Sequence, residues 1–380
     1  MSEHSSAAGA PFGATRSPHG TRLAVPPNWR RAAATLAILG APFLVGSLLG
    51  NYWVRVMDMA ALYVILALGL NVVVGMAGLL DLGYVAFYAV GAYTMALLSS
   101  PQLGVHYSFW LLLPVAGVLA AIAGVALGYP VLRLRSDYLA MVTLAFGEIV
   151  RIFLNNLDTP INITNGPMGI SGISPPYLLG YSLKRNYELF GVELTYTAIF
   201  WYLIVALGLA TAFLLGRLRD SRIGWAWGAI REDELAARTS GIDIRRLKLY
   251  AFGTGAFFAG FAGCIFASFQ GFVSPESFTL FESIAVLCMV VLGGIGSLPG
   301  VAVGAAVLTV LPESLRGLND LQQALLGRQY VNGTDLRMVI YSVLLLLVII
   351  FRPQGLLGSE QRRRELTAGR IDSRVGRAGR

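Results

Sequence analysis

Along most of this chain, apolar residues run in blocks of roughly 17 to 25, separated by short polar or glycine-rich stretches. Crossing about 30 Å of hydrocarbon takes about 20 apolar residues of α-helix. Backbone groups in lipid must be satisfied within the segment, so the pattern predicts spanning helices. Ten are expected, near residues 32–50, 57–75, 84–99, 109–132, 137–155, 196–216, 249–271, 281–293, 300–315 and 337–351. The expected fold is therefore all-α: a polytopic integral membrane protein of about ten transmembrane helices, with broken or short helices near a translocation pathway.

Two apolar segments are interrupted. Gly75-Met76-Ala77-Gly78 and the 293–300 stretch, with Gly293, Gly294, Gly296, Pro299 and Gly300, place helix-weakening residues at the ends of spans. Irregular backbone at membrane depth is tolerated only inside protein or beside a water-filled cavity, and paired breaks point to a pathway in transporters. Close packing of helices through small residues is the competing explanation. Candidate pathway residues are Asn71, Gly75, Gly78, Gly293, Gly294 and Gly296; for Asn71, an interhelical hydrogen bond is the alternative. Both breaks carry Gly-x-x-Gly, a hint of an internal repeat too short to establish one. Glu148 joins the candidates, because ionisable residues inside spans are costly and often functional. Arg151, three residues on, shares its helix face and offers a purely structural pairing. Asp81 and Glu282 are open to the same two readings.

Composition agrees with the pattern. The chain is 56% hydrophobic and 13% charged, with a mean hydropathy of +0.65, more apolar than one soluble core can use. A net charge of +8 would suit a nucleic-acid surface. Its placement argues otherwise, since most Lys and Arg lie in the arm up to Arg31, at Arg133 and Arg135, in the 217–248 loop, and from Arg352 onward. This is the bias of cytoplasmic loops, and an even number of spans brings both termini to that side. The apolar run after Arg30-Arg31 is too long for a secretory leader, so the first span is expected to be retained. Cys264 and Cys288 lack redox or zinc spacing and are expected as small buried hydrophobes. His4, His19 and His106 are scattered, and no metal site is expected. No nucleophile, carboxylate pair or metal spacing indicates an enzyme.

The 217–248 loop holds a further element. Residues 231–241, Arg-Glu-Asp-Glu-Leu-Ala-Ala-Arg-Thr-Ser-Gly, predict a projecting helix of about three turns, with carboxylates in its first turn, Arg238 in its last and Gly241 at its stop. Ala236 and Ala237 would give it a small, approachable surface.

Glu234-Leu235-Ala236-Ala237 with Gly241 resembles the Glu-x-Ala-Ala-x-x-x-Gly loop of ABC-importer permeases. The flanking Ala229-Ile230-Arg231-Glu232-Asp233 and Ile242-Asp243-Ile244-Arg245-Arg246-Leu247-Lys248 are similar to those of the LivM-type permease of branched-chain amino acid importers. So are Leu68-Gly69-Leu70-Asn71 with the 75–83 stretch, Ser136-Asp137-Tyr138-Leu139-Ala140 with Thr143 and Gly147-Glu148-Ile149, Asn165-Gly166-Pro167 with Gly169-Ile170, and Phe351-Arg352-Pro353-Gln354-Gly355-Leu356. The resemblance covers about residues 57–358.

It implies an inner-membrane permease that moves branched-chain amino acids, works with a second homologous permease, receives substrate from a periplasmic binding protein and is driven by two cytoplasmic ATPase subunits. Glu234, Ala236, Ala237 and Gly241 would then be the ATPase-coupling residues. The residues themselves bear on one point. There is no Gly-x-x-x-x-Gly-Lys-Ser/Thr loop, and Lys184 and Lys248 are the only lysines, so no cofactor is expected and ATP would be bound by partners. Urea or short-amide import by a similar permease, or an ion-coupled transporter or channel, are the alternatives. The domain reading is a flexible basic arm at 1–31, a permease domain at 32–351 with a cytoplasmic coupling loop at 217–248 and an external loop at 156–195, and a basic cytoplasmic tail at 352–380.

Overall fold

The computed structural model describes residues 40–101, 104–134, 136–158, 162–178, 181–189 and 192–326, together with 343, 346 and 356. Helix α1 covers Gly40–Leu49. The first long span, α2 (Asn51–Asn71), runs on through a wide π turn at Val72–Met76 before the chain loses regular structure. After it come α3 (Val85–Ser99), α4 (Phe109–Val131), α5 (Ser136–Asn155) and α6 (Tyr196–Arg219). Two shorter helices, α7 (Arg222–Glu232) and α8 (Glu234–Thr239), lead into α9 (Ile244–Gln270), α10 (Leu280–Gly293) and α11 (Leu298–Leu326).

Six segments among the described residues are long and apolar enough to cross a bilayer: Asn51–Met76, Phe109–Val131, Tyr138–Asn155, Tyr196–Arg219, Ile244–Gln270 and Pro275–Gly293. Gly40–Leu49, Val85–Ser99 and Leu298–Ser314 are apolar but shorter. The chain is thus an all-α, multi-span membrane protein, and nine of the expected ten segments coincide with helices. The tenth, 337–351, and residues 32–39 of the first lie outside the described residues, so the count of ten is not established.

The centre of the bundle is α2, α3 and α9, whose side chains are buried on nearly every face. They approach closely because their contact positions carry almost no side chain. A Cβ added at Gly91 of α3 would lie 2.0 Å from the carbonyl oxygen of Gly260 in α9, and one added at Gly263 would lie 2.1 Å from that of Tyr88. Small residues at such crossings let backbones meet where there is no hydrophobic drive between helices. The peripheral helices have the reverse pattern. Leu119 and Ile122 of α4, Ile149 and Phe153 of α5, and Leu209 and Phe213 of α6 are exposed and apolar, as lipid or a membrane partner requires.

The stretch between α5 and α6 holds two antiparallel hairpin pairs, β2 (Tyr177–Leu178) with β3 (Tyr181–Ser182) and β4 (Tyr187–Leu189) with β5 (Val192–Leu194). Ahead of them, β1 (Ile170–Ser171) pairs with β6 (Phe272–Val273), which directly follows α9. The loop is therefore fastened to the end of α9 remote from α7 and α8. The turn-forming Asn165-Gly166-Pro167 occupies this loop, where Asn165 adopts a left-handed φ of 60°.

The α3–α9 crossing supplies a direct test. Gly91→Ala should force the helices apart at a cost of about 1–3 kcal/mol, the usual range for overpacking. Thermal unfolding of the detergent-purified protein should show a clearly lowered midpoint. Gly228→Ala, inside α7 where an added Cβ meets nothing within 4 Å, should not lower the midpoint, since alanine favours a helix over glycine.

Candidate coupling and translocation site

The polar loop after α6 folds against the ends of the spans through a series of caps. The Ser221 side chain accepts from the Gly224 amide at the start of α7. Asp243 accepts from the Arg246 amide at the start of α9. Trp227 is completely buried and donates its indole N–H to the Leu247 carbonyl at 2.8 Å, fixing α7 to the foot of α9. Arg245 lies over the ring of Tyr129 at 4.4 Å, joining the same foot to the end of α4.

The expected three-turn helix at 231–241 is two pieces. Asp233 leaves the helical region (φ −152°, ψ 109°), and its carboxylate accepts from the amides of Leu235 and Ala236 at 2.8 and 3.0 Å. An Asp side chain that bonds the following amides competes with helix continuation, so α7 ends and α8 begins there. Glu232 accordingly closes α7 instead of opening the projecting helix. Within α8, Leu235 and Ala236 are exposed while Ala237 is 4% exposed, so the approachable surface is Leu235-Ala236 and not the alanine pair. Glu234 pairs with Lys248 at 2.7 Å, holding α8 against α9. Gly241 has φ 84°, which only glycine adopts readily, and turns the chain back toward the bundle.

The two glycine breaks, more than 200 residues apart in sequence, meet directly below this loop. Asn71, fully buried, accepts the Gly296 amide on its Oδ1 at 2.9 Å. A Cβ at Gly75 would stand 2.7 Å from that same Gly296 nitrogen. Arg231 of α7 reaches between the breaks and donates Nη1 to the Gly75 carbonyl at 2.6 Å. Its stem passes Gly78, where a Cβ would lie 2.9 Å from Arg231 Cγ, and its head passes Gly296, where one would lie 3.2 Å from Nη1. Gly78, Gly294 and Gly296 have positive φ values of 72°, 115° and 86°, so these turns depend on glycine. Gly293 serves packing: its Cβ would collide with the Gly300 carbonyl oxygen at 2.3 Å, where α10 meets α11. Asp81 closes the first break by accepting the Gly83 amide at 2.9 Å.

On either side of Arg231 lies a cavity. One, of about 340 Å³, is lined by Gly75, Arg219, Trp225 and Gly296. The other, of about 520 Å³, is lined by Gly78, Arg133, Glu234 and Lys248. Asn71, Gly75, Gly78, Gly293, Gly294 and Gly296 therefore form one locus, in contact through Arg231 with the loop that carries Glu234, Ala236, Ala237 and Gly241.

Glu148 is elsewhere. Toward the far end of α5, it accepts from Arg151 Nε at 3.0 Å, and Arg151 also pairs with Glu276 at 3.2 Å in the turn after α9. All three are partly exposed, and the arrangement fastens α5 to that turn. Sequence reasoning missed Arg231 as a link, because its partners are distant in the chain. It also missed Asp58 in α2, fully buried, whose carboxylate oxygens have no hydrogen-bond partner among the described residues. An ionisable residue inside an apolar run was the available signal.

Comparison with known proteins fits this arrangement. Residues 52–349 match the family model described as branched-chain amino acid transport system / permease component. The chain is 48% identical over 320 residues, 80% of its length and 69% of the relative's, to the high-affinity branched-chain amino acid transport system permease protein LivM of Escherichia coli (strain K12). Identity to the protein of that name in Salmonella typhimurium is 46% over 332 residues, 83% of this chain and 72% of the relative. The permease protein LivH of Salmonella typhimurium is 28% identical over 305 residues, 78% of this chain and 91% of the relative. No solved structure matches. The chain thus belongs to the permease-component family of branched-chain amino acid transport systems, and within it to the LivM type.

Proposed function

We propose that this chain is one of two homologous permease subunits of an ATP-driven importer of branched-chain amino acids in a bacterial inner membrane. The second subunit would be LivH-like, as the weaker similarity to that permease suggests. The observation that carries the reading is the Arg231 bond to Gly75. It ties α7 to the end of α2 while Asn71 ties α2 to the turn between α10 and α11. A push on α7 and α8 is then delivered to both breaks together, a rigid-body coupling of two sites.

In this reading the basic loop and both termini lie in the cytoplasm, and the hairpin loop faces a periplasmic binding protein. Two ATPase subunits bind the nucleotide and grip the exposed Leu235-Ala236 face of α8. Glu234 and Gly241 set the pose of that helix, the first through Lys248 and the second by its left-handed turn. The chain itself holds no cofactor and catalyses no reaction; it supplies the passage and moves it.

Three outcomes test this. In proteoliposomes holding the complete assembly, Arg231→Ala should reduce leucine uptake per ATP hydrolysed by about tenfold or more, the scale of losing a charged hydrogen bond. An unchanged ratio would contradict the coupling role. Gly241→Pro, whose ring fixes φ near −65°, and Glu234→Lys should each weaken co-purification of the ATPases without reducing membrane insertion. Normal co-purification and uptake would remove the docking assignment. Competition on the same vesicles should show valine and isoleucine displacing labelled leucine, while urea does not.

A further inference from the structure

At the opposite end of α2 from the glycine breaks, a cavity of about 310 Å³ opens between α2, α10 and α11. With 1.5 Å of rise per residue, Arg55 stands about 30 Å from Gly75, so this chamber is nearly a full helix length from the Arg231 link. Its walls combine Arg55, Tyr63 and Glu282 with Met59 and Met289, and Glu313 lies at the α11 side, bonded by the Tyr52 hydroxyl. Its size is at the lower end of the range of about 300–1,000 Å³ for small-molecule sites.

We propose that this chamber is a transit site for a zwitterionic amino acid with an apolar side chain, Arg55 receiving the carboxylate and Glu282 the ammonium. The proposal rests on the reading of the chain as an amino-acid permease and adds the place where the substrate is held.

Three observations argue for it. First, both signs of charge face one cavity without neutralising each other. Among the described residues Arg55 has no carboxylate within ion-pair distance; its guanidinium donates to the neutral Gln270 at 2.6 Å and lies over the Phe269 ring at 5.8 Å. A guanidinium offers five N–H groups, so donors remain for a carboxylate. Secondly, Glu282 is positioned by the Tyr63 hydroxyl, which donates at 2.8 Å, and an ionised carboxylate has room for further donors. Arg55 is exposed and Glu282 half-buried, both near the starts of their helices, so both charges stand where an incoming zwitterion can reach them. Thirdly, the remaining wall includes Val56, Met59, Ala285 and Met289. Methionine is flexible and polarisable, and can close around apolar chains that branch at different carbons. Val56, Met59 and Tyr63 lie on the same α2 helix that ends in Asn71 and Gly75, so one helix joins the chamber to the moving breaks.

The test uses the complete assembly in proteoliposomes, with labelled leucine and ATP hydrolysis measured together. Arg55→Gln and Glu282→Gln should each lower leucine uptake about tenfold, while ATP hydrolysis stimulated by loaded binding protein continues. Glu282→Asp, which keeps the charge, should recover much of the uptake. Ala285→Phe, which fills the chamber and alters no charge, should produce the same loss, and it carries the test if Glu282→Gln does not assemble. Wild-type uptake in Glu282→Gln or Ala285→Phe would overturn the proposal. If the wild-type assembly itself takes up no leucine, the amino-acid reading fails; if it does and the variants match it, the chamber alone is wrong.

Discussion

Where a helix breaks inside a packed bundle, amide and carbonyl groups lose their partners within the helix and need others. Here the amide of Gly296 is met by the Asn71 side chain and the carbonyl of Gly75 by Arg231. Each unmade bond of this kind would cost on the order of 1–3 kcal/mol, so the breaks are held together by the need to satisfy backbone. Because one of the two partners comes from the loop after α6, that loop is tied to the breaks. The satisfaction of two backbone groups is thus also the mechanical connection.

The rest of the fold supports this connection. Gly91 and Gly263 let α3 and α9 pack backbone to backbone, Gly69 brings α2 against both, and the Tyr84 hydroxyl donates to the Gly255 carbonyl in the same core, so α2, α3 and α9 form a stiff centre. Gly293 and Gly304 do the same for α10 and α11. Between these bodies lie the glycine turns, the places where φ can change at least cost. At the other end of α2 the polar groups are arranged differently, with Arg55 and Glu282 facing a cavity instead of each other. The molecule therefore has a polar chamber at one end, a strut at the other, and one long helix in common.

Much of the architecture could be read from periodicity and length, because hydrocarbon thickness constrains apolar blocks strongly. The expected 84–99 and 281–293 spans fall within a residue of α3 and α10. The break positions were equally legible, since glycine clusters have few other uses inside apolar runs. What could not be read was which break touches which. Asn71 and Gly296 are 225 residues apart, and no local pattern encodes that bond. The Asp233 interruption is a different kind of miss. Carboxylates at 232, 233 and 234 look like a charged first helical turn, and only the side-chain bonds to Leu235 and Ala236 identify Asp233 as a cap. Ala237 falls at the surface of the expected helix for the same reason: one continuous helix starting three residues earlier has a different buried face. Glu148 stood out by chemistry, but its i, i+3 partner and Glu276 account for it without any link to the breaks.

The central claim is that α7 and the first glycine break move as one body because Arg231 joins them. It is tested most directly by spin labels at Trp225→Cys and Leu80→Cys, both exposed positions, with Cys264 and Cys288 replaced by alanine. In the complete assembly the distance between the labels should stay constant when ATP is added, and should shift or broaden on ATP addition once Arg231 is changed to alanine. A distance that changes with nucleotide while Arg231 is intact, or one that is indifferent to Arg231→Ala, would contradict the account.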